Sequence, residues 1–369
     1  MVNIPETHKA VATPAKRAPL VLIDRETKLP GEGEVLIQNQ WTASSPLDLH
    51  RADGGLLCNH PEVMGGGGAA GTVVAVGPGV ERLRAGDQIF TFAFHDFSER
   101  AHQDFATVPE YLVSKLPANV TPQEAVTVPT NLITVFHAAT ADLGLELPWP
   151  RPEGWEPKQK DDAVLVWGAA SSVGVYAVQV LRYWGYRNVL AVASEKHHAY
   201  LGEIGAKATF SYRDADVVEK ILKFVGGEGV PLVLDCIGSV QGTLRPLTKI
   251  ARKGTKVAIM LPVIVRDATD DVEPEYEMDV NRALVGEWAE GVELRGVRTH
   301  FYLKNEFYKE KMQREIVPTL LEQGIIKPNK QKIVEGATML ERAQKAIELL
   351  RKKDPSGERL VWRVSDLEL

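Results

Sequence analysis

With 369 residues, 44% of them hydrophobic and 25% charged, the chain can bury a large core and is long enough for two domains or one composite fold. A net charge of -6 and a pI near 5.9 provide no basic field for nucleic acid or an anionic membrane, so a small-molecule partner is expected. No N-terminal stretch has signal-peptide character and no apolar run approaches the roughly 20 residues that span a bilayer, which makes the cytoplasm the expected address. Cys58 and Cys236 lack metal-like spacing and are expected to be reduced thiols, with Cys236 a small packing residue.

The first hundred residues alternate short apolar runs with turns, as in "APLVLIDRET" and "GTVVAVGPGVERLRAGDQIF". They predict strands joined by tight Gly/Pro turns, in a small barrel. "LELPWPRPEGWEPKQKD" (145–161), with four prolines and two tryptophans, reads as an irregular segment that either packs over a pocket or a neighbour or forms a surface flap.

From Ala163 onward apolar runs alternate with amphipathic helices. "AVLVWG", "NVLAVAS", "AKATFS", "PLVLDCIG" and "GTKVAIML" predict strands buried on both faces, and "GVELRGVRTHFY" a sixth. The series predicts an α/β, doubly wound parallel sheet. The tail returns to a mixed pattern, with a helix over 339–352 that places Ala343, Ala346, Ile347 and Leu350 on one face.

The first turn of this series has the layout of a dinucleotide site, in which backbone N–H groups and the helix dipole receive a pyrophosphate. Where G-x-G-x-x-G is usual, this chain has Ala169-Ala170-Ser171-Ser172-Val173-Gly174, so only the glycine that permits close helix-to-strand packing remains. Ser171 and Ser172 either donate to phosphate or merely cap the helix. The next strand favours phosphate. An NAD site carries an acid about 20 residues on, but here Val192 and Ala193 are followed by Ser194, Lys196 and His197, groups suited to a 2′-phosphate. NADPH is therefore the expected cofactor, provided that Glu195 faces solvent.

In order and spacing, "PGEGEVLIQNQWTASSPLDLHRADG", "GGGGAAGTVVAVGPGVERLRAGDQIF", "AVTVPTNLITVFHA", the serine turn, "LDCIG" and "SGERLVWRV" together resemble the medium-chain dehydrogenase/reductase superfamily over nearly the whole chain. Within it the chain is most similar to the zinc-independent quinone oxidoreductase and enoyl reductase branch, and closest to fungal ToxD-like oxidoreductases and the stand-alone enoyl reductases that serve polyketide synthases. The resemblance implies a GroES-like catalytic domain from residues 1–130 and 306–369 and a Rossmann NADPH-binding domain over 131–305. It also implies an oxidoreductase that passes hydride to an activated C=C bond, acting as a monomer or homodimer on a small molecule, with a polyketide synthase or other biosynthetic enzyme as partner. A quinone or small-carbonyl reductase, and a non-catalytic NADPH-binding scaffold, stay open as alternatives.

Zinc alcohol dehydrogenases place a cysteine where this chain has Ser45 and Pro46, and His-Glu where it has Gly67 and Gly68. Neither thiolate nor imidazole stands there, so no metal is expected. The resemblance places Ser45-Pro46-Leu47-Asp48 and His50 near the nicotinamide, with His50 as the proton donor unless water protonates the product. It also puts Thr134 against the nicotinamide and Tyr212 beside the 2′-phosphate or adenine, with Arg213 adding charge. Ile237, Gly238, Met260 and Leu261 end the fourth and fifth strands, where α/β sheets bind ligands. His95, His102, His197 and His198 have no third ligand at metal spacing and are expected at the surface.

Overall fold

The computed structural model describes residues 4–365, which divide into two compact units. The first takes the chain through Thr130, then Ala268–Glu273 and everything from Leu303 onward; the second takes Asn131–Asp267 and Pro274–Tyr302. The short excursion at 268–273 is fastened within the first unit by Arg17. Its guanidinium donates to the carbonyls of Thr269, Asp270 and Val272 at 3.0, 2.6 and 2.8 Å.

The first unit is built around the long strand Glu34–Ser44, whose eleven residues serve more than one partner along the same edge. Its first half pairs with Phe105–Pro109 and its last residues with Arg359–Arg363, while Ala69–Val76 runs along the other side. Gln88–Thr91, Val113–Lys115 and Gln331–Ile333 complete a seven-stranded sheet, and Val21–Glu26, Thr7–Thr13 and Glu62–Val63 form a three-stranded one. The C-terminal strand thus lies directly against Ser44, with Trp362 Nε1 donating to Ser44 Oγ at 2.9 Å.

Immediately after that strand comes α1 (Pro46–Gly54), opened by proline at its first position and closed by Gly55 in the left-handed region. The helix Met339–Arg351 packs beside it, burying Met339, Ala343, Ala346 and Ile347. Arg351 grips Asp53 of α1 through two hydrogen bonds of 2.7 and 2.8 Å.

The chain passes from the first unit to the second within α2 (Pro129–His137), and the second carries the predicted parallel sheet. Its strands are β1 (Val164–Trp167), β2 (Val189–Ala193), β3 (Ala208–Ser211), β4 (Leu232–Asp235), β5 (Lys256–Met260) and β6 (Glu293–Val297), in the order β3-β2-β1-β4-β5-β6. The runs are apolar on both faces because helices cover both, among them α3 (Ser172–Tyr183) between β1 and β2. Pairing is in register at the strand ends: Trp167 lies opposite Val192 and Asp235, and Asp235 opposite Ile259. All the turns that leave these ends therefore share one edge.

Residues 145–161 form no helix or strand and pack on the opposite end of α3. Trp184 Nε1 donates to Pro148 O at 3.0 Å, and Arg151 donates to Tyr183 O at 2.6 Å while stacking on its ring. Of the expected roles for this segment, packing on a neighbouring element is the one seen: the segment braces the C-terminus of α3. Among the described residues no helix is long and apolar enough to cross a membrane.

Candidate functional site

In the second unit the parallel register collects Ser171–Gly174, Ser194–His197, Tyr212, Ile237–Gly238 and Met260–Leu261 along the carboxyl edge of the sheet. The strand order reverses between β1 and β4, and open α/β sheets bind ligands at such a switch point. The turns after β1 and β4 are close there: a Cβ at Gly168 would stand 2.6 Å from the Ile237 side chain.

Gly174 has the tightest requirement. A Cβ there would fall 2.5 Å from the Gly168 carbonyl oxygen and 2.6 Å from Ala169 Cα, so the first turn of α3 sits directly on the backbone leaving β1. Ser171 is the N-cap, its Oγ accepting from the Gly174 N–H at 3.1 Å. Ser172 and Val173 follow as half-buried residues of the same turn. The twelve-residue helix thus points its positive end at the strand edge.

At the end of β2 Ser194 is buried, His197 is half-buried, and Lys196 and Glu195 are exposed. Tyr212, just past β3, is 47% exposed and lies under the Arg213 guanidinium at 5.4 Å. Lys196 and Arg213 have no acidic partner within ion-pair distance among the described residues, whereas neighbouring Lys220 is held by Asp214 and Asp216 at 2.7 and 2.9 Å. Two exposed cations without carboxylates, next to a strand that ends in alanine, suit a phosphate.

The turn after β4 is organised by Asp235, the last residue of that strand. Its fully buried carboxylate accepts from the N–H groups of Ile237 and Gly238 at 3.0 and 3.1 Å and from Thr243 Oγ1 at 2.6 Å. Burial raises its pKa to about 6, against the opposing pull of those hydrogen bonds. Cys236 beside it is buried with its thiol pushed far up by desolvation, as befits a packing residue. Met260 and Leu261 are half-buried at the end of β5. Thr134 of α2 is buried, with its hydroxyl 2.7 Å from that of Thr299.

In the first unit Asp48 is fully buried, and its carboxylate is committed to local structure. Oδ2 accepts from the Ser45 N–H at 2.8 Å and its hydroxyl at 3.3 Å, and Oδ1 from the Gly65 N–H at 3.3 Å. The first turn of α1 is thereby pinned to the glycine run, with Pro46 exposed beside it. His50 is buried on the same helix.

One expectation about the histidines is corrected. His102 is 2% exposed, lying edge-on to Trp362 at 4.6 Å because the tight Met64–Gly65 backbone runs against it. Desolvation lowers its pKa to about 4 and keeps the ring neutral. His95 is exposed, as expected, and pairs with the buried Glu99 at 3.0 Å, which raises its pKa. His197 and His198 are half-buried.

The second unit is a doubly wound α/β domain, a six-stranded parallel sheet with a capped helix at its switch point, and the first is a β-rich unit drawn from both chain ends. Family models described as "Alcohol dehydrogenase GroES-like domain" and "Zinc-binding dehydrogenase" match residues 31–134 and 172–275. The trans-enoyl reductase tazE of Aspergillus terreus is 35% identical over 257 residues, covering 67% of this chain and 82% of that protein. The trans-enoyl reductase RAP2 of Pyricularia oryzae is 26% identical, covering 92% of this chain and 94% of its own. Among solved structures, CurK enoyl reductase superposes with a TM-score of 0.71 at 18% identity, covering 96% of this chain and 99% of that one. A quinone oxidoreductase of Pseudomonas syringae gives 0.72 at 20% identity, with the same 96% and 99% coverage.

The chain belongs to the medium-chain dehydrogenase/reductase superfamily, in the family that includes fungal trans-enoyl reductases.

Proposed function

We propose that this protein is an NADPH-dependent, zinc-independent reductase of an activated C=C bond in an enoyl thioester or related conjugated carbonyl. The observation that carries the cofactor choice is that two exposed cations, Lys196 and Arg213, have no carboxylate partner among the described residues, beyond strands that end in Ala193 and Ser211. Bound there, the cofactor supplies hydride from its nicotinamide C4. The chain contributes the Ser171-capped helix N-terminus for pyrophosphate, with Ser172, Val173 and Gly174 in the same turn. Ser194, Lys196, His197 and Tyr212 serve the 2′-phosphate end, and Ile237, Gly238, Met260 and Leu261 form the wall of the crevice. Thr134, Ser45 and Pro46 are assigned to the nicotinamide side.

Zinc independence is supported by the donor set. Ser45, Pro46, Gly67 and Gly68 offer no thiolate or imidazole, Asp48 is committed to backbone donors, and no group of three metal-ligating side chains occurs among the described residues. Asp48 then acts by positioning α1, and His50 on that helix is the side-chain candidate for delivering the proton that completes reduction. A synthase-bound acyl chain fits the trans-enoyl reductase relatives, with a soluble cytoplasmic setting. The test is titration with NADPH and NADH followed by turnover of crotonyl thioester and of quinone. Tighter NADPH binding with thioester turnover is expected. A preference for NADH, or cofactor binding with no alkene turnover, overturns the reading, the latter in favour of a scaffold; quinone turnover alone moves the substrate to that class.

A further inference from the structure

α2 is apolar along most of its length. Leu132, Ile133, Val135 and Phe136 are at most 1% exposed, and Thr134 sits in their midst at 4%. A β-branched hydroxyl residue is a poor choice for a helix interior unless its oxygen has a task. Part of that task is visible: Thr134 Oγ1 lies 2.7 Å from Thr299 Oγ1, an ordinary O–H···O hydrogen bond between residues 165 positions apart in sequence.

Thr299, half-buried just past the end of β6, decides where that contact falls. Val297, the last residue of β6, pairs with Met260, the last of β5. One residue earlier, Gly296 is so close to the next turn that a Cβ on it would meet Leu261 Cδ1 at 2.9 Å. Thr299 therefore leaves the sheet at its carboxyl edge, beside Met260 and Leu261, and the hydroxyl contact brings Thr134 of α2 to the same edge. All of these residues belong to the second unit. The strand order says which end of a ligand this is. Lys196 and Arg213 follow β2 and β3, and the capped N-terminus of α3 follows β1. In the order β3-β2-β1-β4-β5-β6, a dinucleotide with its 2′-phosphate at those cations and its pyrophosphate at α3 has β4, β5 and β6 left for its nicotinamide half. Ile237, Met260 and Leu261 make that part of the edge apolar, so an amide entering it needs a polar partner held in place.

We propose that Thr299 is a positioning residue for the nicotinamide end of the cofactor: its hydroxyl holds that of Thr134 in the orientation that receives the carboxamide. The inference rests on the dinucleotide reading above. In a helix a threonine divides its population between two χ1 rotamers, and a partner on a separate strand end selects one. Without the Thr299 hydroxyl, Thr134 keeps its place in α2 and loses the contact that fixes its oxygen.

Equilibrium binding of NADPH and of 2′,5′-ADP, which carries the phosphate end and lacks nicotinamide, separates this role from a general effect on the fold. Thr299→Val keeps the side-chain shape and removes the hydroxyl. It is expected to raise the NADPH dissociation constant about fivefold, the size of effect of one neutral hydrogen bond, and to leave 2′,5′-ADP binding unchanged. Thr134→Val should do the same, the double variant no more than either alone, and Thr299→Ser should restore native affinity. The proposal is overturned if Thr299→Val weakens both ligands equally, if Thr299→Ser fails to restore NADPH binding, or if neither valine variant affects NADPH. A loss in Thr134→Val with none in Thr299→Val also overturns it and leaves Thr134 at the nicotinamide, with the reductase reading intact. A native chain that prefers NADH sinks the NADPH reading alone; the same variants are then compared on NADH and ADP, and a loss confined to NADH keeps the positioning role standing.

Discussion

The serine turn after β1 and the glycine run before Ala69 treat buried polar groups in opposite ways. Around Ser171 and Asp235, local hydrogen bonds settle the backbone: Gly174 is capped, and Ile237 and Gly238 share one carboxylate. Around Gly65–Gly67, Arg51, Arg100 and His102 carry buried nitrogens with no acceptor. The second unit thus presents a finished frame at its strand edge, with its unmatched cations out in solvent. The first unit holds its unmatched donors inside, where desolvation makes them count.

The sharpest way to break the frame is Gly174→Val. Its side chain has no room against the Gly168 carbonyl and Ala169 Cα, and neither contact is a movable side chain. Overpacking against backbone is expected to cost about 3 kcal/mol or more, read as a large fall in urea midpoint and loss of NADPH binding. Near-native stability in this variant would show that the turn can slide, and the frame would not be rigid.

Acid titration sharpens the contrast because the two units respond with opposite sign. His102 is neutral when folded, with a pKa of about 4 set by burial, opposed by Asp48 and aided by Arg51. As pH falls from about 6.5 to 4 the unfolded chain takes up its proton first, so this group removes stability. Asp235 has its pKa raised to about 6, so as pH falls from 6 toward 3.8 the folded state takes the proton first, and this group adds stability. Each effect is at most about 3 kcal/mol. Urea midpoints between pH 6.5 and 4 are expected to fall less steeply for His102→Phe than for the native chain, and more steeply for Asp235→Asn. Parallel profiles for all three would show that neither group is buried in solution.

Discrimination between cofactors tests the exposed side of the frame. Lys196→Ala combined with Arg213→Ala should weaken NADPH binding by about tenfold and leave NADH unchanged, with the gap narrowing at high salt. Equal losses for both cofactors would place these cations on the pyrophosphate instead.

What the sequence revealed followed from how local each feature is. Five of the six strands were legible as short, mainly apolar runs, and the face of Ala343, Ala346 and Ile347 because helical period writes it directly; Glu293–Val297, with Glu293 and Arg295 in it, was marked only by its place in the series. The serine turn lies within six residues of chain and was read from spacing. The buried arginine pair was not legible: Arg51 and Arg100 meet only because the glycine run brings separate loops together, and no periodicity marks that meeting. His102 was misplaced at the surface for the same reason, since its burial depends on Trp362, which arrives from the far end of the chain. The tryptophan-rich segment 145–161 showed irregularity but not location; its anchors, Tyr183 and Trp184, lie at the other end of α3.

The smallest effect decides what the serines themselves do. Ser171→Ala removes the oxygen that accepts from the Gly174 N–H, and loss of such a cap costs about 1 kcal/mol. If the hydroxyls also meet phosphate, Ser171→Ala with Ser172→Ala should raise the NADPH dissociation constant several-fold beyond what the lost stability explains. Because the cap holds the N–H groups in place, the single variant should affect NADPH and NADH alike, unlike the Lys196 and Arg213 pair. A stability loss of this size with unchanged affinity for both cofactors would reduce the serines to helix capping and leave the helix N-terminus and its backbone donors to hold the pyrophosphate.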